Sequence, residues 1–166
     1  EDIQSMVKII VRCWSHQFCI SVPYTVSVDH LKGEICRETG FPSKSQILYI
    51  SVGNGSDGLT FILKALNIGN GDTVICPANS FIASAWSIIA AGATPIFCDV
   101  NEDLQISIED LPRILMPSTK AVMGVHLTGK LCDVEEIKKF CHKNNLYFIE
   151  DAAQAVGASN PKGLKS

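Results

Sequence analysis

Short apolar runs recur along residues 47–152: ILYISV, TVICP, TPIFCDV, KAVMGVHL and LYFIEDA. Between them, apolar residues fall at helical spacing around Ser56 to Leu66, Phe81 to Ala91, Ile108 to Leu115 and Val134 to Asn144. Strands that are apolar on both faces need cover on both faces, so the alternation predicts an α/β fold with a mainly parallel sheet between two helical layers. Right-handed crossovers then bring every strand-to-helix loop to one edge of the sheet, where ligands of such sheets bind. The first 50 residues follow another pattern. MVKIIVRCW and QFCISVPYTVSV predict a hairpin joined around Ser15 and His16, and VDHLKGEICRETG predicts a helix with Val28, Leu31 and Ile35 on one face and Gly40 at its end. With ILYI as the next strand, this end reads as a small α+β unit of order ββαβ.

Composition narrows the class. Of 166 residues, 46% are hydrophobic and 19% charged, which excludes a disordered chain and predicts a sizeable core in one ordinary domain or two small ones. The formal net charge is −3 and no Lys/Arg run exceeds two, which argues against nucleic acid and anionic membrane as partners. Residues 73–98 carry no charge and mimic a membrane span. Pro77, Pro95, Asn79, Ser80, Ser84, Ser87 and the turn Gly92-Ala93-Thr94-Pro95 instead predict strand, helix and strand, all buried in an α/β core. Seven irregularly spaced cysteines without C-x-x-C predict buried thiols in a reducing, cytoplasmic setting, with no disulfide framework and no metal site. Cys141 and His142 are neighbours, and adjacent helical positions diverge. No basic segment followed by an apolar run opens the sequence, so no secretory signal is expected.

The loops at the predicted ligand edge carry the candidate chemistry. Ser51-Val52-Gly53-Asn54-Gly55-Ser56-Asp57-Gly58 joins a strand to a helix, and a helix start with free N–H groups and a positive dipole end suits an anion, best a phosphate. Equally, the glycines make the turn while Ser56 or Asp57 caps the helix. The loop also satisfies G-x-G-x-x-G at Gly53, Gly55 and Gly58. A dinucleotide site, however, needs an acid at the end of the following strand, where Cys76-Pro77-Ala78-Asn79 stands. Phe81 opens the next helix, either to stack on a flat ring or to pack in the core. Asp99, Glu102 and Asp103 read as capping or solvated acids. His126 ends a strand, as a ligand contact or a hydrogen-bonded core residue. Glu150 and Asp151 end a very apolar strand, with Gln154 beyond. A carboxylate opposite a phosphate loop would keep a pyridine nitrogen protonated, although an acid capping the next helix has the same appearance.

Together, SVGNGSDGL, ALNIGNGDTVICPANSFIASA, AGATPIFCDVN, VHLTG and IEDAAQAVGA resemble the DegT/StrS family of pyridoxal-phosphate sugar aminotransferases, over about Leu48 to Lys165. The resemblance implies part of the large domain of a fold type I, aspartate-aminotransferase-like enzyme over residues 47–166. It implies pyridoxal 5'-phosphate as cofactor, with Gly55, Ser56 and the Asp57 backbone on the phosphate, Phe81 on the ring face, Asp151 on the pyridine nitrogen and Gln154 near the phenolic oxygen. His126 becomes a substrate-side candidate. The implied reaction moves an amino group from an amino acid, usually glutamate, to a keto group of a nucleotide-linked sugar, in a homodimer. Where family members commonly have Tyr and Gln, this chain has Thr128 and Lys130, and Val156 often stands for a bulkier or polar residue, so the sugar is not set. Lys162 and Lys165 follow Asp151 too soon to match the family's Schiff-base lysine. No catalytic residue is therefore assigned, and a partial cofactor pocket without turnover is expected.

The first 50 residues resemble a ubiquitin-like β-grasp domain. MVKIIV matches its first strand, and LKGEICRETGFPSKSQILYI its helix, Gly-φ-Pro turn and third strand. The last strands and a Gly-Gly tail are missing, which implies a fusion of a truncated β-grasp to an aminotransferase large domain. The competing functional reading is a non-catalytic ubiquitin-like binding or adaptor module.

Overall fold

Contacts divide the chain into two units, Glu1–Ser51 and Val52–Ser166. The structure, a computed structural model, describes residues 6–13, 16–23, 37, 52–159 and 163. In the first unit, β1 (Met6–Cys13) and β2 (His16–Pro23) pair antiparallel, from Met6 opposite Pro23 to Cys13 opposite His16. These β-branched-rich runs form the expected hairpin. The helix read over 28–40, apart from helical Arg37, and the strand ILYI lie outside the described residues.

The second unit runs α1 (Gly55–Ala65), β3 (Thr73–Pro77), α2 (Ile82–Ala90), β4 (Thr94–Cys98), α3 (Leu111–Ile114), β5 (Thr119–Val125), one 3-10 turn (Leu127–Gly129), α4 (Val134–Lys143) and β6 (Tyr147–Asp151). The strands form one parallel sheet in the order β4-β3-β5-β6. Alternate strand residues feed two cores, as a strand's two-residue period requires. Val74, Cys76, Ala121 and Met123 pack with Leu59 and Leu63 of α1 and with Ala85 and Ile88 of α2. On the opposite face, Ile75 and Val122 pack with Leu111 of α3 and with Val134, Ile137 and Cys141 of α4. From β3 the chain moves outward to β4, then returns across β3 to β5. That reversal, with helices on opposite faces, leaves a crevice beyond the strand ends.

Two expectations need correction. The segment 73–98 is not wholly buried. As the edge strand, β4 leaves Phe97 56% exposed, and α2 packs with Ser84, Ala85, Ser87 and Ile88 while Ile82, Trp86 and Ile89 face outward. The helix expected over Ile108 to Leu115 covers only Leu111–Ile114. Upstream, Ile106 bridges Val100 and the Ser107 N–H donates to the Asp99 carbonyl at 2.9 Å, which holds that backbone out of a helix. Downstream, Leu115 is extended shortly before Pro117, where a helix cannot continue. Cys76, Cys98, Cys132 and Cys141 are free and buried. Burial pushes the first three thiols up to about 12 and that of Cys141 to about 11. No helix among the described residues is long and apolar enough to cross a membrane.

Candidate functional site

The crevice is a cleft of about 220 Å³ lined by the start of α1 (Gly55, Ser56), the loop into α2 (Ser80, Phe81), the end of β6 (Asp151) and the segment after it (Gln154). Its first wall follows from a helix cap. Asn54 is extended, and its side chain accepts the Asp57 N–H at 2.9 Å and donates to Asp57 Oδ2 at 2.9 Å. The opening turn of a helix has no intrahelical acceptors, so this reciprocal cap takes the Asp57 N–H and leaves Gly55 and Ser56 at the positive end of α1. A Cβ at Gly55 would meet nothing within 4 Å, so the space beside the helix start is open.

The second wall is Asp151, the last residue of β6. The β5–β6 ladder pairs Val125 with Asp151 and extends by one bond, from the His126 N–H to the Asp151 carbonyl at 3.0 Å. The carboxylate is fixed at both oxygens: Oδ1 accepts the Ala153 N–H at 3.1 Å and Oδ2 accepts the Ser84 hydroxyl at 3.2 Å. Gln154 is fixed by its Oε1, which accepts the Thr128 N–H at 2.8 Å from the turn after β5. Thr128 adopts φ 57° to present that N–H. Between these walls, Phe81 precedes α2 and is 68% exposed.

Gly55, Ser56, Phe81, Asp151 and Gln154 thus line one cleft. Asp57 and His126 do not. The Asp57 N–H is already taken by Asn54, so it is not available to an anion. His126 is fully buried: Nδ1 accepts the Cys132 N–H at 3.2 Å and Nε2 lies 3.3 Å from Glu150 Oε2. An Nδ1 that accepts an amide proton carries none itself, which assigns the ring proton to Nε2, donating to Glu150. Glu150 also pairs with Lys138 at 3.4 Å. The histidine is a hydrogen-bonded core residue and does not line the cleft. Asp103 pairs with Lys130 at 2.7 Å, and among the described residues no three acids, histidines or cysteines form a metal cluster. Sequence reading missed Ser84, which is 1% exposed. The available signal was a polar residue on the packed face of α2, since buried hydroxyls require partners.

The arrangement suits a small ligand with an anion at one end and a protonated ring nitrogen at the other: a helix N-terminus, an exposed aromatic face and a fixed carboxylate. A parallel α/β sheet with this polarity at its carboxyl edge defines the class, a doubly covered α/β domain with a ligand cleft beyond its strand ends. The chain belongs to the DegT/DnrJ/EryC1/StrS aminotransferase family, whose model matches residues 44–163. It is 41% identical over 110 residues to GDP-perosamine synthase of Vibrio cholerae, covering 66% of this chain and 30% of that protein. It is 47% identical over 111 residues to dTDP-3-amino-3,6-dideoxy-alpha-D-galactopyranose transaminase of Aneurinibacillus thermoaerophilus, with the same coverage. Among solved structures, the aminotransferase from Psychrobacter cryohalolentis aligns with TM-score 0.65 and 38% identity, covering 81% of this chain and 33% of that one. NtdA from Bacillus subtilis, solved with bound cofactor PMP, aligns with TM-score 0.66 and 31% identity, covering 82% and 30%. The chain spans about a third of the length of the curated relatives it matches. PMP-bound structures among the relatives imply a pyridoxal-type cofactor for the family.

Proposed function

We propose that the cleft of the second unit holds pyridoxal 5'-phosphate or its amine form, pyridoxamine phosphate. In this reading Gly55 and Ser56 bind the phosphate at the α1 N-terminus, Phe81 covers one ring face, Asp151 accepts the ring N–H and Gln154 lies toward the phenolic oxygen. The observation that carries it is the meeting of Ser56, Phe81 and Asp151 in one cleft from three separate loops. When bound, the cofactor ring supplies an electron sink for bond breaking beside an amino group. Asp151 would hold the ring proton, and the helix start would anchor the phosphate. The relatives' names support amino transfer onto a keto group of a nucleotide-linked sugar. The proposed donor is an amino acid such as glutamate, and the proposed working state is a homodimer.

The test uses pyridoxamine phosphate, which cannot form imines with surface lysines. Fluorescence titration of the 166-residue chain should give saturable binding, and pyridoxamine without phosphate should bind at least roughly tenfold more weakly, the loss of one or two charge-assisted hydrogen bonds. Equal binding of the two would remove the helix N-terminus from the site. Retention is proposed to be non-covalent here, because Lys162 and Lys165 do not match the family's Schiff-base position. A borohydride-fixed pyridoxal adduct mapped to either lysine would overturn that part. For the first unit, the β1–β2 hairpin favours the β-grasp reading. Backbone chemical shifts showing no helix over residues 28–40 would refute it.

A further inference from the structure

Behind Asp151 lies a pair of hydroxyls that the cofactor reading leaves unused. Ser84 Oγ donates to Asp151 Oδ2 at 3.2 Å, and Ser80 Oγ lies 2.8 Å from Ser84 Oγ. A carboxylate has no proton to give and a hydroxyl has one, so Ser84 spends its proton on Asp151 and the second bond runs from Ser80 to Ser84. The polarity of the chain is therefore fixed: Ser80 to Ser84 to Asp151. Its ends, Ser80 and Asp151, line the cleft, while Ser84 is buried between them. The neighbouring buried hydroxyl, Ser87, donates to the Ser84 carbonyl at 2.9 Å and stays within its own helix. Ser84 instead links α2 to the end of β6, across 67 residues of sequence.

We propose that Ser84 is a positioning residue for the cofactor's ring nitrogen, acting through Asp151. With Ala153 N–H on one oxygen and Ser84 O–H on the other, the carboxylate plane cannot turn about its side-chain bond without losing a donor. The remaining lone pairs then point in a fixed direction, and Ser80 strengthens the Ser84 donor by donating to it in turn. The proposal rests on the pyridoxal-type reading of the cleft. A serine that served only to fill the α2–sheet interface would affect folding and leave the ring nitrogen untouched.

The experiment is a double-mutant cycle on the full chain, read by pyridoxamine phosphate affinity, with the urea midpoint of each variant as the folding control. Ser84→Ala is expected to bind about tenfold more weakly, as for loss of a hydrogen bond to a charged group, and Ser80→Ala to lose less. In an Asp151→Ala background, Ser84→Ala should cause no further loss, because the side chain it acts through is gone. With ring-15N-labelled pyridoxamine phosphate, Ser84→Ala should move the bound signal toward the unprotonated value. Unchanged affinity in Ser84→Ala, or losses that simply add across the cycle, would overturn the proposal while leaving the cofactor reading intact. Absence of binding to the unaltered chain would instead overturn the cofactor reading, and this proposal with it.

Discussion

Replacing Asp151 by asparagine separates charge from shape at the site, and the structure says how the new side chain will sit. Asp151 accepts two donors, the Ala153 N–H at 3.1 Å and the Ser84 O–H at 3.2 Å. Asparagine has one acceptor oxygen and one amide donor group. The Ala153 N–H cannot reverse, so the asparagine oxygen must face it and the NH₂ must face Ser84. A hydroxyl can rotate: Ser84 then accepts from Asn and donates to Ser80, 2.8 Å away. Every polar group stays satisfied, so the unfolding free energy should change by less than about 1 kcal/mol. Ligand binding should not escape, because the ring N–H now meets a neutral acceptor in place of a charged one. Hydrogen bonds with one ionised partner are about twice as strong as neutral ones, so the expected loss is about 1.5 kcal/mol, roughly tenfold in Kd for pyridoxamine phosphate. Asp151→Ala is the contrast, since it leaves the Ala153 N–H and the Ser84 hydroxyl without their acceptor and should destabilise the fold by about 1–3 kcal/mol. Fluorescence titration and urea unfolding of the two variants check both halves. If Asp151→Asn binds as tightly as the unaltered chain, the carboxylate does not meet the ring, and the reasoning fails.

Three other outcomes follow from the same packing. Ser56→Asp places a negative charge at the α1 N-terminus and should weaken pyridoxamine phosphate at least about tenfold while leaving pyridoxamine nearly unaffected, as parallel titrations would show. Gly124→Ala forces a Cβ to 2.9 Å from Phe148 Cε2 and 3.0 Å from Cys132 Sγ, and should cost about 1–3 kcal/mol by urea unfolding; no change would mean that β5, β6 and the Cys132 loop can part freely. Because burial raises the thiols of Cys76, Cys98 and Cys132 from 9.0 to about 12, they stay protonated in the folded chain after the unfolded chain has begun to ionise. Their stabilisation is complete below pH 9 and is lost as pH rises toward 12, so the urea midpoint should fall from pH 8 to pH 10, and at pH 8 these thiols should resist a disulfide reagent until urea is added.

How much of this was legible in the sequence depended on whether a residue's partner was local. The inner strands β3 and β5 were legible because burial on both faces leaves nearly every position apolar. The edge strand β4, TPIFC, also carries no charge and is largely apolar, yet Phe97 is exposed; which strand stands at the edge is set by neighbours that the run itself does not name. The α1 start was legible to within a residue, Ser56 against the observed Gly55, but its cap was misread: Asn54 accepts the Asp57 N–H, where the sequence offered Ser56 or Asp57 as the cap. The short α3 was over-read because the bonds that hold residues 106 and 107 come from Asp99 and Val100, on the far side of a loop.

The site divides along the same line. Asp151 was found by a rule of topology: an acid that ends a buried parallel strand stands at the ligand edge, whatever its contacts. His126 ends the adjacent strand and obeys the same rule, yet its ring turns inward to Cys132 and Glu150. Position at the edge therefore selects candidates, and hydrogen bonds decide among them. For His126 the deciding donor is the Cys132 N–H, six residues on and beyond a turn in which Thr128 takes a positive φ, so no periodicity announces it. Ser84 is the converse case. At four residues from both Ser80 and Ile88 it lies on the packed side of α2, where a hydroxyl without a partner would be costly. Its burial could be anticipated from that spacing and the need for a partner from that burial; the identity of the partner required the end of β6, which only the fold brings to it.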